Sequence, residues 1–225
     1  MAIGKRRESP QISKMNRLSN TADLEVSAAQ LCKIDPRFNA ILDLHGLPSL
    51  RTSPQGLKGL LMIVTEQFLS LSAAAAIWTR VHKAIEPFDA ITILKFSSDE
   101  LLSLGLSRAK AKSFHEIAAR IVDGRLNFSE YDELSEDVII KKLCALPGVG
   151  PWTADIYLLA VMGATDAWPA GDLALRIAIH DFLKLNNRPE IKEMAFHAEN
   201  WRPHRAVAAR LLWSHYRGLK GLKQA

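Results

Sequence analysis

The stretch "LPGVGPWTAD", residues 146–155, breaks a helical pattern with two glycines and a following proline. Apolar residues at helical spacing precede it, and an apolar run, 156–162, follows it. One interpretation is a corner between two helices, in which the glycines supply backbone angles with positive φ. The other is an anion site, because two glycines let amides point outward where the next helix begins at Pro151. Spacing alone leaves both interpretations open.

The rest of the chain predicts an all-α protein. We expect about ten helices with short connections, and we find neither the alternation typical of strands nor an internal repeat. The segment 46–56 is rich in glycine, proline and serine, which is typical of a linker. The predicted helices lie at 22–33, 36–44, 57–68, 72–85, 99–104, 114–122, 135–146, 156–162, 172–185 and 203–216.

Composition indicates a soluble globular protein. The chain has 225 residues, 48% of them hydrophobic, and a mean hydropathy near zero. No apolar run reaches the roughly 20 residues that a membrane helix needs, and the first residues lack the apolar stretch of a secretory signal. Two cysteines, Cys32 and Cys144, are too few to hold zinc or an iron–sulfur cluster by themselves, and they favour a reducing, intracellular setting.

The net charge of +5 is concentrated at the start of the chain. Residues 1–20 contain five basic side chains and one acidic side chain, so the remainder is almost neutral. Residues 1–21 are polar and lack periodicity, which predicts a basic disordered tail. Such a tail could contact phosphates, but the charge alone does not indicate a nucleic-acid partner.

Five segments together resemble one protein family. They are similar to the helix–hairpin–helix (HhH-GPD) superfamily of DNA glycosylases, which includes endonuclease III, and in particular to its 3-methyladenine DNA glycosylase II (AlkA-type) branch. The likeness runs from about residue 35 to 217, with the segments in the family's order. The segments are "EQFLSLSAAAAIW" (66–78), "LGLSRAKAKSFHEIA" (104–118), "LPGVGPWTAD" (146–155), "DAWPAGDLALRIA" (166–178) and "WRPHRAVAARLLW" (201–213).

The resemblance implies a two-lobed helical fold and an enzyme. One lobe would combine 22–54 with 163–217 and carry the catalytic aspartate, and the other would span 55–162 and end with the hairpin. Residues 218–225 would form a second tail, and the N-terminal β domain of AlkA itself would be absent. The implied function is a monofunctional glycosylase that flips out alkylated purines, such as 3-methyladenine and 7-methylguanine, and hydrolyses their N-glycosidic bonds.

Asp172 is the candidate catalytic residue. It follows a "PAG" turn and precedes an apolar helix, so the residues alone favour a helix N-cap. The resemblance identifies the same residue as the catalytic aspartate, and the two roles are compatible. A helix N-terminus stabilises the ionised carboxylate, which suits the stabilisation of a cationic sugar better than it suits a general base.

The five tryptophans divide into core and pocket candidates. The resemblance implies that Trp213 faces the catalytic aspartate across the base pocket and that Trp152 lines it, where a cationic purine could stack. Two aromatic positions of the family's pocket fall on Ile156 and Leu173, so this pocket is less aromatic. His204 replaces a tryptophan that is usual in the family's "WxPW" segment. Core packing is expected for the remaining tryptophans, Trp78, Trp168 and Trp201.

Two DNA-binding elements follow from the resemblance. A wedge that fills the gap left by a flipped base would be formed by Phe68, with Gln67 and Ser70 beside it. The pattern alone also allows Phe68 to complete the apolar stripe that begins at Leu57. The hairpin would hold the DNA backbone without reading its sequence, through Gly148, Val149, Gly150 and Thr153.

The resemblance also bears on cofactors. Bifunctional relatives carry a nucleophilic lysine two positions after the second hairpin glycine, where this chain has Trp152, so no lyase activity is expected. No cysteine follows Cys144, so an iron–sulfur cluster of the endonuclease III kind is not expected and no cofactor is required. Related hairpins hold a monovalent cation, here Na⁺ or K⁺, which would bind the backbone carbonyls of Cys144, Leu146 and Val149.

The expected partner is double-stranded DNA with damaged bases, bound by a monomer that has no membrane contact. The expected location is the nucleoid in a bacterium or the nucleus in a eukaryote. Three alternatives remain open: a non-catalytic helix–hairpin–helix DNA-binding protein, a glycosylase for another damaged or mismatched base, and a helical interaction protein. The last predicts no salt-dependent affinity for DNA.

Overall fold

A computed structural model describes residues 15–50 and 52–222. Across these two ranges there is no β-strand, and the only bridge joins Arg17 to Ala164, so the predicted all-α class is confirmed. The α-helices are α1 Thr21–Ile34, α2 Phe38–His45, α3 Gly56–Glu66, α4 Leu71–Ala84, α5 Ala90–Ile93, α6 Ser98–Ser103, α7 Arg108–Val122, α8 Glu136–Cys144, α9 Pro151–Ile156, α10 Leu173–Phe182, α11 Ile191–Ala198 and α12 Arg205–Leu219.

Shorter helical segments complete the fold. Phe128–Glu133 and Glu199–Trp201 are 3₁₀ helices, and α9 continues into one π-helical turn, Tyr157–Val161. That turn belongs to the apolar run predicted as a buried helix, and most of its side chains are buried. None of the helices in the described ranges is long and apolar enough to span a membrane.

The helices pack in two groups. In the first, α12 packs against α1, α2 and α10; in the second, α3 packs against α4, α7 and α9, and α7 also contacts α5 and α6. The first group comes from the two ends of the chain and the second from its middle. The predicted lobe boundaries at 54/55 and 162/163 stay predictions.

The central helix of the first group is α12. Its buried face combines small and aliphatic residues, and the small ones allow neighbouring helices to approach closely. The fully buried positions are Ala206, Val207, Ala208, Ala209, Leu211 and Leu212. This helix carries Trp213 at the edge of the core, so burial of α12 fixes the position of that indole.

The start of the described chain differs from the predicted tail. The side chain of Leu18 is buried in the core. Its N–H donates to the Gly163 carbonyl at 2.7 Å, and the Thr165 N–H donates to the Asn16 carbonyl at 3.0 Å. Residues 15–20 are thus part of the fold, because Leu18 packs into the core although it lies within a polar stretch. The predicted tail at 1–14 lies outside the described residues.

The other end of the chain also differs from its prediction. Helix α12 continues to Leu219, beyond the predicted lobe end at 217, because the helical hydrogen bonds continue past the last apolar contact. Residues 223–225 of the predicted second tail lie outside the described residues. Cys32 and Cys144 are both free thiols.

Candidate functional site

Asp172 begins helix α10. The "PAG" turn before it is closed by the Asp172 N–H, which donates to the Pro169 carbonyl at 2.9 Å. The Asp172 Oδ1 accepts from the Leu175 N–H at 2.9 Å, so the carboxylate caps the helix as the sequence predicts. This places a carboxylate at the positive end of the helix dipole.

Two indole groups converge on the same carboxylate. The Trp152 Nε1–H donates to Asp172 Oδ2 at 3.0 Å, and the Trp213 Nε1–H donates to Oδ1 at 3.0 Å. With the Leu175 amide, three N–H groups therefore fix the carboxylate. Trp152 lies on α9 of the middle helix group and Trp213 on α12 of the terminal group, so Asp172 lies where the two groups meet.

The apolar neighbours of this cluster lie at different depths. Leu173, next to Asp172, is 55% exposed, whereas Ile156 is buried at the end of α9. Of the predicted core tryptophans, Trp168 and Trp201 are buried, as expected. Trp78 is partly buried and packs on Phe88 at 5.2 Å between ring centroids.

His204 contacts helix α1. Its Nδ1 lies 2.7 Å from the Ser27 hydroxyl on α1, and burial lowers the pKa of its imidazole. The histidine therefore joins α1 to the start of α12.

The hairpin glycines have different roles. Gly148 has a φ of 74°, and a Cβ there would lie 2.1 Å from the Ser113 Oγ of α7. Gly150 has a φ of −100°, and nothing lies within 4 Å of the corresponding Cβ position. The interpretation that both glycines supply positive φ is therefore wrong for Gly150, whose missing side chain instead leaves open space outside the turn.

The hairpin amides are partly used within the turn. The Val149 N–H donates to the Leu146 carbonyl at 3.2 Å, and the Val149 side chain is only 5% exposed. Within the described residues, no acceptor is bonded to the N–H groups of Gly148 and Gly150. These two amides and the first amides of α9 are the ones that can reach an anion.

The predicted wedge lies in the turn between α3 and α4. Helix α3 ends at Glu66, and Phe68 has a φ of 59° with a fully exposed side chain. Phe68 therefore does not complete the apolar stripe. Ser70 caps α4 by accepting from the Ala73 N–H at 3.2 Å. The Phe68 ring is available to contact a partner.

Gln67 links the wedge turn to the hairpin. Its Nε2 donates to the Gly148 carbonyl at 2.9 Å and to the Thr153 Oγ1 at 2.8 Å. Thr153 is otherwise buried. Gln67 and Thr153, both predicted to contact DNA, thus use these side-chain groups to hold two loops together.

Three carbonyls were predicted to bind a monovalent cation. The Leu146 carbonyl accepts the Val149 N–H, while within the described residues no backbone N–H donates to the carbonyls of Cys144 and Val149. Free carbonyls at a helix end fit a hard cation with oxygen ligands. Among the described residues, no group of three or more His, Cys, Asp or Glu side chains could hold a metal ion. The cation site stays a prediction.

Sequence reasoning missed a half-buried acid, Asp155, beside the hairpin. Burial raises the pKa of Asp155 from 3.8 to about 7, with Glu136 adding to the rise and Arg205 opposing it. Arg205 is paired with Asp166 at 2.8 Å. The signal available in the sequence was a carboxylate in an otherwise apolar helix, directly after "WTA".

Comparisons with known proteins agree with this geometry. The family model described as "HhH-GPD superfamily base excision DNA repair protein" matches residues 61–203. An alkylbase DNA glycosidase-like protein of Schizosaccharomyces pombe is 24% identical over 203 residues, which cover 87% of this chain and 95% of that protein. A putative DNA-3-methyladenine glycosylase of Bacillus subtilis is 28% identical over 184 residues, which cover 78% of this chain and 64% of that protein.

Solved structures give the same fold. The 3-methyladenine DNA glycosylase of Schizosaccharomyces pombe in complex with abasic DNA superposes with a TM-score of 0.77 at 26% identity, over 84% of this chain and 95% of that one. The DNA-3-methyladenine glycosidase of Bacillus halodurans superposes with a TM-score of 0.74 at 24% identity, over 88% and 93%. The resemblance seen in the sequence is confirmed, and this chain belongs to the HhH-GPD superfamily of base excision DNA repair proteins.

Proposed function

We propose that this protein is a monofunctional DNA glycosylase of base excision repair that hydrolyses the N-glycosidic bond of alkylated purines. The observation that carries the proposal is the convergence of Trp152 and Trp213 on Asp172 where the two helix groups meet. Membership of a base excision repair family, and relatives named as 3-methyladenine glycosylases, support it. The product is an abasic site.

Asp172 stabilises the cationic sugar that develops as the base departs. At ~4 Å and an effective dielectric constant near 20, opposite charges attract by about 4 kcal/mol. If this attraction arises mainly in the transition state, it accelerates the reaction roughly a thousandfold. Three N–H donors already occupy the carboxylate, which favours a fixed negative charge over a group that accepts a proton from water.

The leaving base needs little help from an acid. An alkylated purine such as 3-methyladenine or 7-methylguanine is already cationic, so it departs as a neutral molecule when the bond breaks. The N–H edges of Trp152 and Trp213 bond to Asp172, and the faces of the two indoles would attract such a cation through the ring quadrupole. The exposed Leu173 would complete an apolar wall beside them.

DNA binding uses the hairpin and the wedge turn. The free amides of Gly148 and Gly150, together with the N-terminus of α9, would hold a backbone phosphate. Phe68 would enter the stack from the minor groove and fill the space of the flipped nucleotide. We further propose a monomer that acts wherever the cell keeps its DNA, the nucleoid or the nucleus.

The test is base release from alkylated duplex DNA by the wild type and by Asp172→Asn, with DNA binding measured in parallel. Asparagine also caps helices well, so the fold should be retained. We expect release to fall about a thousandfold and the affinity to stay within about twofold. Asp181→Asn, at the other end of α10 and paired with His215, is the control and should release bases normally.

Other outcomes would change the proposal. Good binding with no release by the wild type from any lesion would indicate a non-catalytic DNA-binding protein. Release of uracil or of a mismatched base, but not of alkylated purines, would indicate another specificity. The aliphatic residues at Ile156 and Leu173 make a panel of lesions the right substrate set, because they change the shape of the pocket wall.

A further inference from the structure

The wedge turn is held in a conformation that its own residues do not favour. Phe68 lies in the left-handed region, with a φ of 59°, where residues other than glycine are rarely found. Its side chain is fully exposed, so packing of the ring cannot hold the backbone there. The restraint must therefore come from contacts that the rest of the protein makes with the backbone beside Phe68.

One side chain from a different helix supplies that restraint. The Lys110 Nζ on α7 donates to the Thr65 carbonyl and to the Gln67 carbonyl, each at 2.8 Å. Thr65 lies in the last turn of α3, and Gln67 directly precedes Phe68. The ammonium group thus bonds to carbonyls at the negative end of the α3 dipole, where a cation is favoured.

The environment of Lys110 differs from that of a surface lysine. Its side chain is half-buried, and burial lowers the pKa of its ammonium group. Lys112, on the same helix, is exposed and pairs with Glu116 at 3.8 Å. The difference indicates that Lys110 serves an internal contact, whereas Lys112 is a solvated charge.

We propose that Lys110 is a positioning residue for the wedge: its ammonium group holds the α3–α4 turn so that Phe68 is presented to DNA. The inference rests on the proposed function in one respect, that Phe68 enters the duplex when a base is flipped. Gln67 fixes the same turn to the hairpin. Together the two side chains set the position of Phe68 relative to the amides that would hold the phosphate.

The consequence of losing Lys110 follows from these contacts. Two carbonyls lose a charged donor, and Phe68 can relax to the negative φ that it prefers. The strain of a left-handed residue corresponds to about a tenfold population change or more. We therefore expect that without Lys110 the Phe68 ring no longer has the orientation it needs to enter the duplex.

The test measures insertion without requiring catalysis. The probe is a duplex that contains a stable abasic analogue with 2-aminopurine beside it, whose fluorescence rises when the base is unstacked. The variants are Lys110→Met, Phe68→Ala and the double variant, with Lys112→Met as the matched control. Lys110→Met should bind this duplex with an affinity within about twofold of the wild type, because the phosphates are held by the hairpin amides. It should nevertheless lose most of the fluorescence rise.

Coupling to Phe68 separates positioning from a general loss of structure. Phe68→Ala should abolish the same rise, and the double variant should be no worse than Phe68→Ala alone. On alkylated duplex, Lys110→Met should slow single-turnover release about tenfold, the factor expected from the lost restraint. Release from a lesion in a mispaired, flexible site should be slowed less.

Three results would overturn the proposal. A fluorescence rise in Lys110→Met equal to that of the wild type would show that the turn needs no clamp. A loss of affinity with a salt dependence reduced by about one charge would identify Lys110 as a phosphate contact. Additive losses in the double variant would indicate a role that does not act through Phe68.

Two further conditions keep the test decisive. If Lys110→Met is not folded by circular dichroism, Lys110→Leu, which also removes the donor, replaces it in the same assays. If the wild type unstacks 2-aminopurine but releases no base, the glycosylase proposal fails while the assignment of Lys110 is still decided by the fluorescence.

Discussion

Replacing Gly148 by alanine tests both the backbone conformation of the hairpin and its packing against α7. The glycine has a φ of 74°, and the added Cβ would lie 2.1 Å from Ser113 Oγ and 3.2 Å from Ser113 Cβ. Ser113 is buried, and its hydroxyl donates to the Ala109 carbonyl at 3.0 Å. The substitution therefore strains the backbone and forces the serine side chain to move.

The size of the effect follows from these contacts. An L-residue in the left-handed region costs about 1–2 kcal/mol. Rotating Ser113 away breaks its hydrogen bond, which is a further loss of about 1 kcal/mol. The free energy of unfolding should thus fall by about 2–3 kcal/mol in Gly148→Ala. In a Ser113→Ala background the Oγ is absent, so only the backbone cost and the tight 3.2 Å contact remain.

The assay is urea unfolding of the wild type, both single variants and the double variant. The double-mutant cycle should give a coupling of about 1 kcal/mol between positions 113 and 148. Gly150→Ala is the matched control, because its Cβ has free space and its φ is ordinary. It should keep the wild-type stability but weaken DNA binding, if a phosphate approaches the hairpin there.

Two results would refute the reasoning. A loss below about 0.5 kcal/mol in Gly148→Ala, within the range of ordinary surface substitutions, would mean that the turn relaxes freely. Equal losses with and without the Ser113 hydroxyl would mean that α7 does not constrain the hairpin. Unchanged DNA affinity in Gly150→Ala would separately remove the proposed phosphate contact.

Three further predictions concern the wedge, the carboxylate and pH. Phe68→Ala should slow base release from paired duplex more than from a mispaired site, because only the paired base must be forced out of the stack; equal slowing in single-turnover assays would contradict the wedge role. Trp213→Phe keeps an aromatic ring, although a smaller one, but removes one N–H from Asp172, so release should fall about tenfold or more, as expected for a hydrogen bond to a charged group, while a gel-shift assay shows unchanged binding. Burial raises the pKa of Asp155 to about 7, so the folded state favours the protonated acid, and stability should decline as pH rises from about 4 to 7. In urea unfolding, Asp155→Asn should reduce the difference between pH 5 and pH 8, and an unchanged difference would assign the pH dependence to other groups.

Much of the architecture follows from local pattern. Helical spacing predicts the all-α class, and the N-cap at Asp172 is evident from the "PAG" turn. The helices α5 and α11 were not predicted; α5 is a single turn of four residues, which is too short to show a helical period. The end of α3 was placed at Phe68 because apolar spacing continues, whereas the helix stops at Glu66, and the carbonyl of the next residue, Gln67, accepts from the distant Lys110.

The site was only partly accessible from the sequence. That Trp152 and Trp213 both reach Asp172 depends on how α9 and α12 pack against α10, and no spacing encodes this. The resemblance to a family, rather than periodicity, selected these residues. The contact of Gln67 with the hairpin was missed for the same reason, since a hydrogen bond between distant segments leaves no local pattern.

Residues 15–20, with the buried Leu18 among them, fasten the start of the described chain to the rest of the fold. The hydrogen bonds of this segment to Gly163 and Thr165 hold the loop that leads to Asp172. Arg17 also pairs with Asp132, which lies between α7 and α8, at 2.7 Å. Trypsin can cut after Arg17 only when these contacts open, so the rate of that cut measures the free energy of the local opening. A variant that begins at residue 15 keeps these contacts. A variant that begins at residue 21 loses a connection between the two helix groups that enclose the proposed active site.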